Sequence, residues 1–494
     1  MKRLLFLLLL IPVLSFGQTI NTYTGDVLTY KGSGTHPWVN LFDTIGAINL
    51  ELFHMDIAMD ANDNVYVLGV FRNNDLQIGS ETLTNNGNYD VFLCSFDQLG
   101  NFRWARSIGS DQNDDRAGMI IDGSDIYIGG AYNGAELFFS HSAVSLQPDD
   151  NYDSFLAHYS TDGTLQDAKR IFWGSNTQRL RGISLDATNG YLVTVGSFKE
   201  ELVHGSTVGD TVTVKGVKDL FIARFDISSG FSNLSFTDIS NYYCNISTCQ
   251  MKGVNNSVIG SSLTGYFISA DLIGYIKFSA TDSLVSTNES TRDAMIIKLD
   301  DNLDYVWSRR GGTIGWDHVN SSVSDDNGNI YLTGKYEGNI TWDSTATLQS
   351  TEKPSFGGID MYILKYNQDG RLLWSNYNGD SGNDNAYGLA LNEEFVQTAG
   401  NLSHTGTTNT AFIKYDHDGN YVNQNEILGD GEDIGKGVAF DSEGNTLIAG
   451  YFNSDTLFFN SRTTPDAILV NKTGTYDGFI GKYSYPVTVI KTNK

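Results

Sequence analysis

Cysteine is nearly absent from this chain, with 3 in 494 residues, and proline is scarce at 6. Its turns are therefore written in Gly, Asn and Asp. Beyond the first 17 residues no apolar run approaches the ~20 residues that a membrane-spanning helix needs. Basic residues are outnumbered, 32 Lys and Arg against 58 Asp and Glu, giving a formal charge of −26. A field of that sign repels nucleic acid and anionic membranes, so neither is expected as a partner, and it suits a solvated surface. Catalytic signatures are missing too. The 8 His fall in no H-E-x-x-H or paired spacing, and no G-x-S-x-G elbow introduces a helix. The acidic turns DANDN, DDNGN, DSEGN and DHDGN lack the twelve-residue spacing and terminal Glu of an EF-type calcium loop.

What is present is repetition. Residues 321–379 read as four short strands. An alternating run leads into the turn at Asp325 to Asn329, IYLTGKY follows, then MYILKY into the turn at Asn367 to Gly370, then RLLWSNY carrying Trp374 and breaking at Gly379. Seven copies are tracked by a second-strand glycine: Gly69, Gly130, Gly196, Gly265, Gly334, Gly400 and Gly450, spaced 61, 66, 69, 69, 66 and 50 apart. A second column holds Asp90, Asp153, Asp219, Asp293, Asp360 and Asp477, with Thr410 in the sixth copy. A third is the turn after the third strand, DQLGN, STDGT, DDNLD and DHDGN.

The last copy lacks a fourth strand, while HPWVNLFDTIG, residues 36–46, is a fourth strand without its first three. Lending a strand across a seam hides both edges of a ring. The expected fold is all-β: a single seven-bladed β-propeller of four-stranded antiparallel blades over residues 32–485, closed by the N-terminal strand 36–46. Units of this length exceed the ~40–50 residues common for propeller repeats, and the surplus falls between the second and third strands. Residues 1–17 read as a secretory signal. Lys2 and Arg3 precede the apolar core LLFLLLLIPVL, and Ser15 to Gly17 supply the small residues of a cleavage site that leaves Gln18 first. No cysteine follows that site, which argues against lipid attachment. Residues 18–31 are a lead and 486–494 a tail, with no recognisable sorting module.

The pattern D-x-x-G-N-x-Y-x-x-G-x-F, then D-x-F-x-x-x-(F/Y)-D, then G-x-x-x-W resembles the bacterial secreted seven-bladed β-propeller repeat family over nearly the whole mature chain. That resemblance implies export and a propeller fold, and it implies no common catalytic residues. The run with Asp97, Gly100 and Trp104, or Asp369, Gly370 and Trp374, is similar to the tryptophan-docking repeats of quinoprotein dehydrogenases. There the Trp staples adjacent blades, a packing role implied here for Trp38, Trp104, Trp307 and Trp374. The vicinal cysteines of the quinone site do not follow.

Chemistry has few places to reside. Asp114, Asp317, Asp384 and Asp433 each lie eight residues before the turn residue of their copy, Asp122, Asp325, Asn392 and Asp441. Carboxylates gathered at an axial channel suit a hard cation such as Ca2+, whereas recurrence at equivalent positions suits capping of backbone amides at a blade junction. No cofactor is expected, and Ca2+ is the one ion these acids suit. His318 beside Asp317 is the one suggestive neighbouring pair, read as a surface pair. In the odd fourth copy, Cys244 and Cys249 are spaced for a small disulfide loop, and Tyr242 and Tyr243 suit a docking partner. Cys94, within VFLCSF, reads as a buried small hydrophobe.

The expected function is an exported, monomeric, non-catalytic binding or scaffold module for a protein or polysaccharide at or beyond the cell envelope. The opposing expectation is a carbohydrate-active hydrolase or lyase using channel-facing carboxylates, with or without Ca2+. An enzyme of that kind needs two carboxylates from non-equivalent repeat positions converging in a pocket. A scaffold needs only repeat-equivalent acids, each paired to backbone.

Overall fold

The computed structural model describes residues 38–44, 55–72, 74–147, 151–204, 210–214, 218–231, 234–238, 250–259, 262–278, 281–343, 350, 352–404, 406–459, 467–470 and 476–483. Apart from one 3-10 turn at Ile227–Ser229, their regular structure is extended. No helix among them is long and apolar enough to cross a membrane.

The unit read from residues 321–379 is an antiparallel meander of His318–Ser324, Ile330–Glu337, Ile359–Tyr366 and Leu372–Asn378, each strand paired to the next. Its first turn closes on Asp325, whose Oδ1 accepts the backbone N–H groups of Asn327 at 3.0 Å and Asn329 at 2.9 Å. A carboxylate that replaces a strand neighbour in this way lets the chain reverse within five residues.

The same meander recurs along the chain. A first comprises Met55–Met59, Val65–Arg72, Tyr89–Phe96 and Phe102–Gly109. The second comprises Asn113–Asp122, Asp125–Asn133, Asp153–Ser160 and Leu165–Trp173, and the third Gln178–Asp186, Tyr191–Phe198, Asp219–Asp226 and Leu234–Asp238. The fourth is Gln250–Ile259, Ser262–Leu272, Asp293–Leu299 and Tyr305–Gly312. Beyond the fifth, which begins at His318, the sixth is Asn385–Leu391, Phe395–His404, Thr407–Asp416 and Tyr421–Leu428. In the last, Asp433–Phe440, Thr446–Phe452 and Asp477–Tyr483 are joined by Trp38–Thr44 from the other end of the chain, Trp38 opposite Lys482 and Phe42 opposite Gly478.

The apolar core lies between meanders rather than within them. Val193, Val195, Leu220 and Ile222 of the third pack against Tyr266, Ile268 and Met295 of the fourth. Leu447, Ala449 and Ile480 of the last pack against Val65, Val67, Phe92 and Cys94 of the first. Each fully buried Leu, Ile or Phe in such a seam contributes about 1.5–3 kcal/mol.

A polar clamp runs along the outer part of the seams. The Trp104 indole N–H donates to the Thr161 carbonyl at 3.1 Å, Trp307 to Gln368 at 2.9 Å and Trp374 to His417 at 3.0 Å. Each acceptor lies in the turn between the third and fourth strands of the following meander. Two residues further on, Arg106, Arg309 and Asn376 donate to the carbonyls of Gly163, Gly370 and Gly419 in the same turns. Gly370 has φ +76° and lies so close to the Trp307 ring that a Cβ there would stand 2.9 Å from it. The D-G turn and the Trp column are therefore two halves of one contact.

The surplus between second and third strands forms an outer hairpin that reaches back to the preceding meander. Leu137–Phe139 pairs with Phe102–Gly109, Glu201–His204 with Leu165–Trp173, Thr341–Trp342 with Tyr305–Gly312 and Thr456–Phe459 with Tyr421–Leu428. Leu76–Ile78 does the same for Trp38–Thr44. The sixth copy runs from Phe395–His404 into Thr407–Asp416 without such a hairpin, which explains the spacing of 50 between Gly400 and Gly450.

The register corrects two column assignments. In the fourth copy Ala270, not Gly265, stands opposite Met295 and Met251, where other copies carry the second-strand glycine. In the sixth, Asn409, not Thr410, takes the place of the third-strand Asp, because Gly400 pairs with Ala411. Bulges and long strands shift side chains without leaving a mark in the spacing.

Trp307→Ala removes a nearly buried indole and one hydrogen bond, and is expected to lower stability by about 3–5 kcal/mol. Trp307→Phe, which keeps an apolar ring, should lose only about 0.5–1.5 kcal/mol. Urea denaturation of both variants checks this; equal losses would mean that the ring contributes nothing beyond its N–H.

Candidate functional site

Asp114, Asp317, Asp384 and Asp433 sit where each first strand begins, and all four are buried. Asp317 accepts the backbone N–H of Thr313 at 2.6 Å and of Glu337 at 3.1 Å. Asp384 does the same for Asp380 at 2.7 Å and Ser403 at 2.6 Å, and Asp114 for Ser110 at 2.5 Å. Asp433 accepts the Ser454 hydroxyl at 2.6 Å. Each carboxylate ties the chain entering a meander to the end of that meander's second strand or to the strand before it. The third meander places Gln178 there, its side-chain N–H2 donating to the Glu201 carbonyl at 2.6 Å. Among the described residues no three His, Cys, Asp or Glu side chains are grouped so that they could hold a metal ion.

The third-strand Asp column is buried beside the first. Asp90, Asp293 and Asp360 accept the backbone N–H of Asn86, Thr287 and Phe356, and each keeps an Oδ1 with no hydrogen-bond partner among the described residues. These carboxylates press on the glycine that closes the fourth strand. A Cβ at Gly379 would stand 1.9 Å from Asp360 Oδ1 and 2.9 Å from Asp384 Oδ2, so only glycine fits between the two acids. Burial pushes Asp114 up to about 8, Asp90 and Asp317 to about 7, and Asp293 and Asp433 to about 6, against the backbone N–H groups that favour the anion. Within each seam the neighbouring acid adds to the rise, Asp90 acting on Asp114 and Asp293 on Asp317.

Three residues after the first-strand column of Asp114, Asp317, Asp384 and Asp433, the first strands of all meanders but the first carry a β-bulge. The register slips between Arg116 and Gly118, Leu180 and Gly182, Met251 and Gly253, Val319 and Ser321, Ala386 and Gly388, and Gly435 and Gly437. The second-strand glycine column is the counterpart of that bulge: a Cβ on Gly334 would stand 1.8 Å from the His318 carbonyl. A bulge re-aims the side chain it carries. Here the extra residues are Ala117, Arg181, Lys252, Asn320, Tyr387 and Lys436.

Several of these side chains reach across to other meanders. Arg181 pairs with Asp115 at 2.8 Å and the Asn320 side chain donates to the Ala386 carbonyl at 2.8 Å, while Arg116, just before the bulge of its strand, pairs with Asp56. The Lys436 ammonium lies 3.3 Å from the centre of the Tyr387 ring. Lys436 also feels Lys335 of the fifth meander and Arg116 of the second, neither of which adjoins its own. Groups from such separated sheets act on one another at this end of the first strands. The axial end of the first strands is thus a polar cluster of Asp56, Asp115, Arg116, Arg181, Lys335, Tyr387 and Lys436.

His318 turns away from Asp317. Its Nδ1 lies 2.8 Å from Asp271, which Arg292 also approaches at 3.6 Å, and Trp316 stacks on its ring. The turn acids serve their own turns, Asp416 accepting from Asp418 and Asn420 as Asp325 does. Cys94 is buried in the seam between the last and first meanders, and burial pushes its thiol well above the usual range. Tyr242, Tyr243, Cys244 and Cys249 lie outside the described residues. The missing D-x-x-G-N turn of the fourth copy has a visible effect: Lys298 Nζ is buried without a hydrogen-bond partner among the described residues, whereas Lys482 meets Asp441 at 2.7 Å. Sequence reasoning missed the axial cluster. Its signal was a column of Arg, Asn, Tyr and Lys three residues after the Asp column, masked because those residue types differ.

The raised carboxyl groups give the pH dependence of stability a definite sign. A folded-state pKa above the unfolded value means that the folded protein binds more protons, so the stabilisation is complete below about pH 4 and lost as pH rises through about 6–8. The turn acids Asp60 and Asp416 are lowered, through hydrogen bonds from Asn64 and Asn420 that outweigh burial, and act oppositely only at still lower pH. The melting temperature should therefore be higher near pH 5.5 than near pH 8.5. Asp317→Ala, which leaves two backbone N–H groups unpaired, should cost about 1–3 kcal/mol and flatten that slope. Differential scanning calorimetry at both pH values checks this, and a melting temperature that climbs with pH would contradict it.

The meandering four-stranded sheets, packed side by side through their first strands, are those of a β-propeller. No family model matches the chain. It is 22% identical to an uncharacterised WD repeat-containing protein of Acanthamoeba polyphaga mimivirus, over 92% of this chain and 39% of that protein, and so spans about two fifths of that relative's length. Among solved structures, the WD40 domain of Neurospora crassa Pan2 is similar over 90% of this chain and 97% of its own, with a TM-score of 0.44 and 8% identity. Sqt1 from Chaetomium thermophilum is similar over 75% of this chain and 96% of its own, with a TM-score of 0.36 and 10% identity.

Proposed function

We propose that this chain is an exported, monomeric, non-catalytic seven-bladed β-propeller acting as a binding or scaffold module at or beyond the cell envelope, for a protein or polysaccharide partner. The observation that carries the non-catalytic reading is the use made of the acids. Asp114, Asp317, Asp384 and Asp433 stand at equivalent positions and spend their oxygens on backbone or hydroxyl hydrogens. Of the acids near the axis, Asp56 and Asp115 are each held by an arginine. Both carboxylates are thereby engaged with a neighbouring guanidinium, although burial raises Asp56 against the pull of Arg116.

Closure of the ring is supported by the pairing of Trp38–Thr44 with Asp477–Tyr483 and by the core shared between the last and first meanders. Export is supported by the charged start, apolar core and small-residue end of residues 1–17.

Two measurements test these readings. A mature chain lacking residues 18–46 should melt at a lower temperature, and a synthetic peptide of residues 32–46 added in excess should restore it; a melt unchanged by the deletion would oppose ring closure. Titration calorimetry against a panel of defined polysaccharides, with chromatography of the same mixtures, should give binding without shortened products. Product formation would return the chain to the hydrolase or lyase class.

A further inference from the structure

We infer that the axial end of the first strands is a binding site for an anionic oxygen group, a carboxylate, sulfate or phosphate carried by a ligand, with Lys436 as its central contact and Lys335 and Arg116 beside it. This deepens the binding-module reading and rests on it.

Lys436 is half-buried on the bulge of the last meander, its ammonium over the Tyr387 ring at 3.3 Å and 5.4 Å from that of Tyr451. Two aromatic faces hold a cation in place but do not neutralise it. No carboxylate is within ion-pair distance of it among the described residues, and Glu432, the acid that acts on it, is exposed. The other cations of the cluster differ in this respect, Arg116 having Asp56 and Arg181 having Asp115. Burial first, then Lys335 and Arg116, push Lys436 down to about 7 against the pull of Glu432. A cation crowded by two others and short of a counter-ion gains most from an anion placed among them. The setting sharpens the point: in a chain of formal charge −26, cations of the second and fifth meanders act on a lysine of the last.

Binding of an anion there favours the charged ammonium, so affinity should be level below pH 7 and fall about tenfold per pH unit above it. The test is titration calorimetry of the full mature chain with glucuronate, inorganic sulfate and inorganic phosphate, with glucose as the neutral control, between about pH 6 and 9. At least one anion should bind at one-to-one stoichiometry, and the tightest identifies the source of the oxygen group. Lys436→Gln should weaken it tenfold or more, Lys335→Gln severalfold, and Lys298→Gln, remote from the axis, should not change it. Lys436→Arg, which keeps its charge across that range, should bind with no break near pH 7. Thermal melts of each variant establish folding. Equal binding by the wild type and Lys436→Gln, an unchanged pH break in Lys436→Arg, or no heat with any of the three anions would overturn the site. Loss of this site with retained binding of a neutral polysaccharide would leave the module reading standing. Breakdown of a bound saccharide would remove that reading instead.

Discussion

The seam between neighbouring meanders is the constraint on which the rest depends. A four-stranded sheet of this size buries little by itself, and the apolar clusters all straddle two sheets. Hydrophobic contact brings the sheets together without fixing how they are aligned. Alignment comes from groups with directions: the Trp N–H and the Arg two residues later, both aimed at carbonyls of one turn. The turn can receive them only because its glycine has no side chain in the way.

The inner end of each seam solves a different problem. Where the chain passes from one meander to the next, backbone N–H groups are buried with no strand to pair them. Asp114, Asp317 and Asp384 provide the acceptors. Stacking that column against the third-strand Asp column places acids side by side in a dry seam, and the raised carboxyl groups follow from this. The acidity of the chain is thus partly internal, and protonation relieves it.

The bulge beyond the Asp column turns a repeated framework into an individual surface. Six of the seven first strands carry the same bulge, while the residue on it is Ala117, Arg181, Lys252, Asn320, Tyr387 or Lys436. The residue is small and buried in one copy, Ala117, and polar and reaching to a neighbouring meander in others, Arg181 and Asn320. Repeats preserve what packs and differ where they meet a ligand. At the outer rim the variation is in length: the sixth copy lacks the hairpin that in the first, second, third, fifth and last copies pairs with the preceding sheet, and Leu372–Asn378 is only half-buried.

Much of this was legible in the residues. The order of strands, the turns at Asp325 and Asp416, the Trp column and the orphan strand at residues 36–46 all follow from local rules: period two, Asx turns and unpaired edges. The sequence by itself determined the repeat and its strand plan, because those depend on neighbours a few residues apart. Tertiary structure alone decided that Ala270 and Asn409 hold the places of Gly265 and Thr410, and that His318 meets Asp271 rather than Asp317. It also decided that Lys436 lies over the rings of Tyr387 and Tyr451. Those outcomes depend on register, on a one-residue bulge and on approach between neighbouring sheets, and spacing along the chain carries no record of any of them.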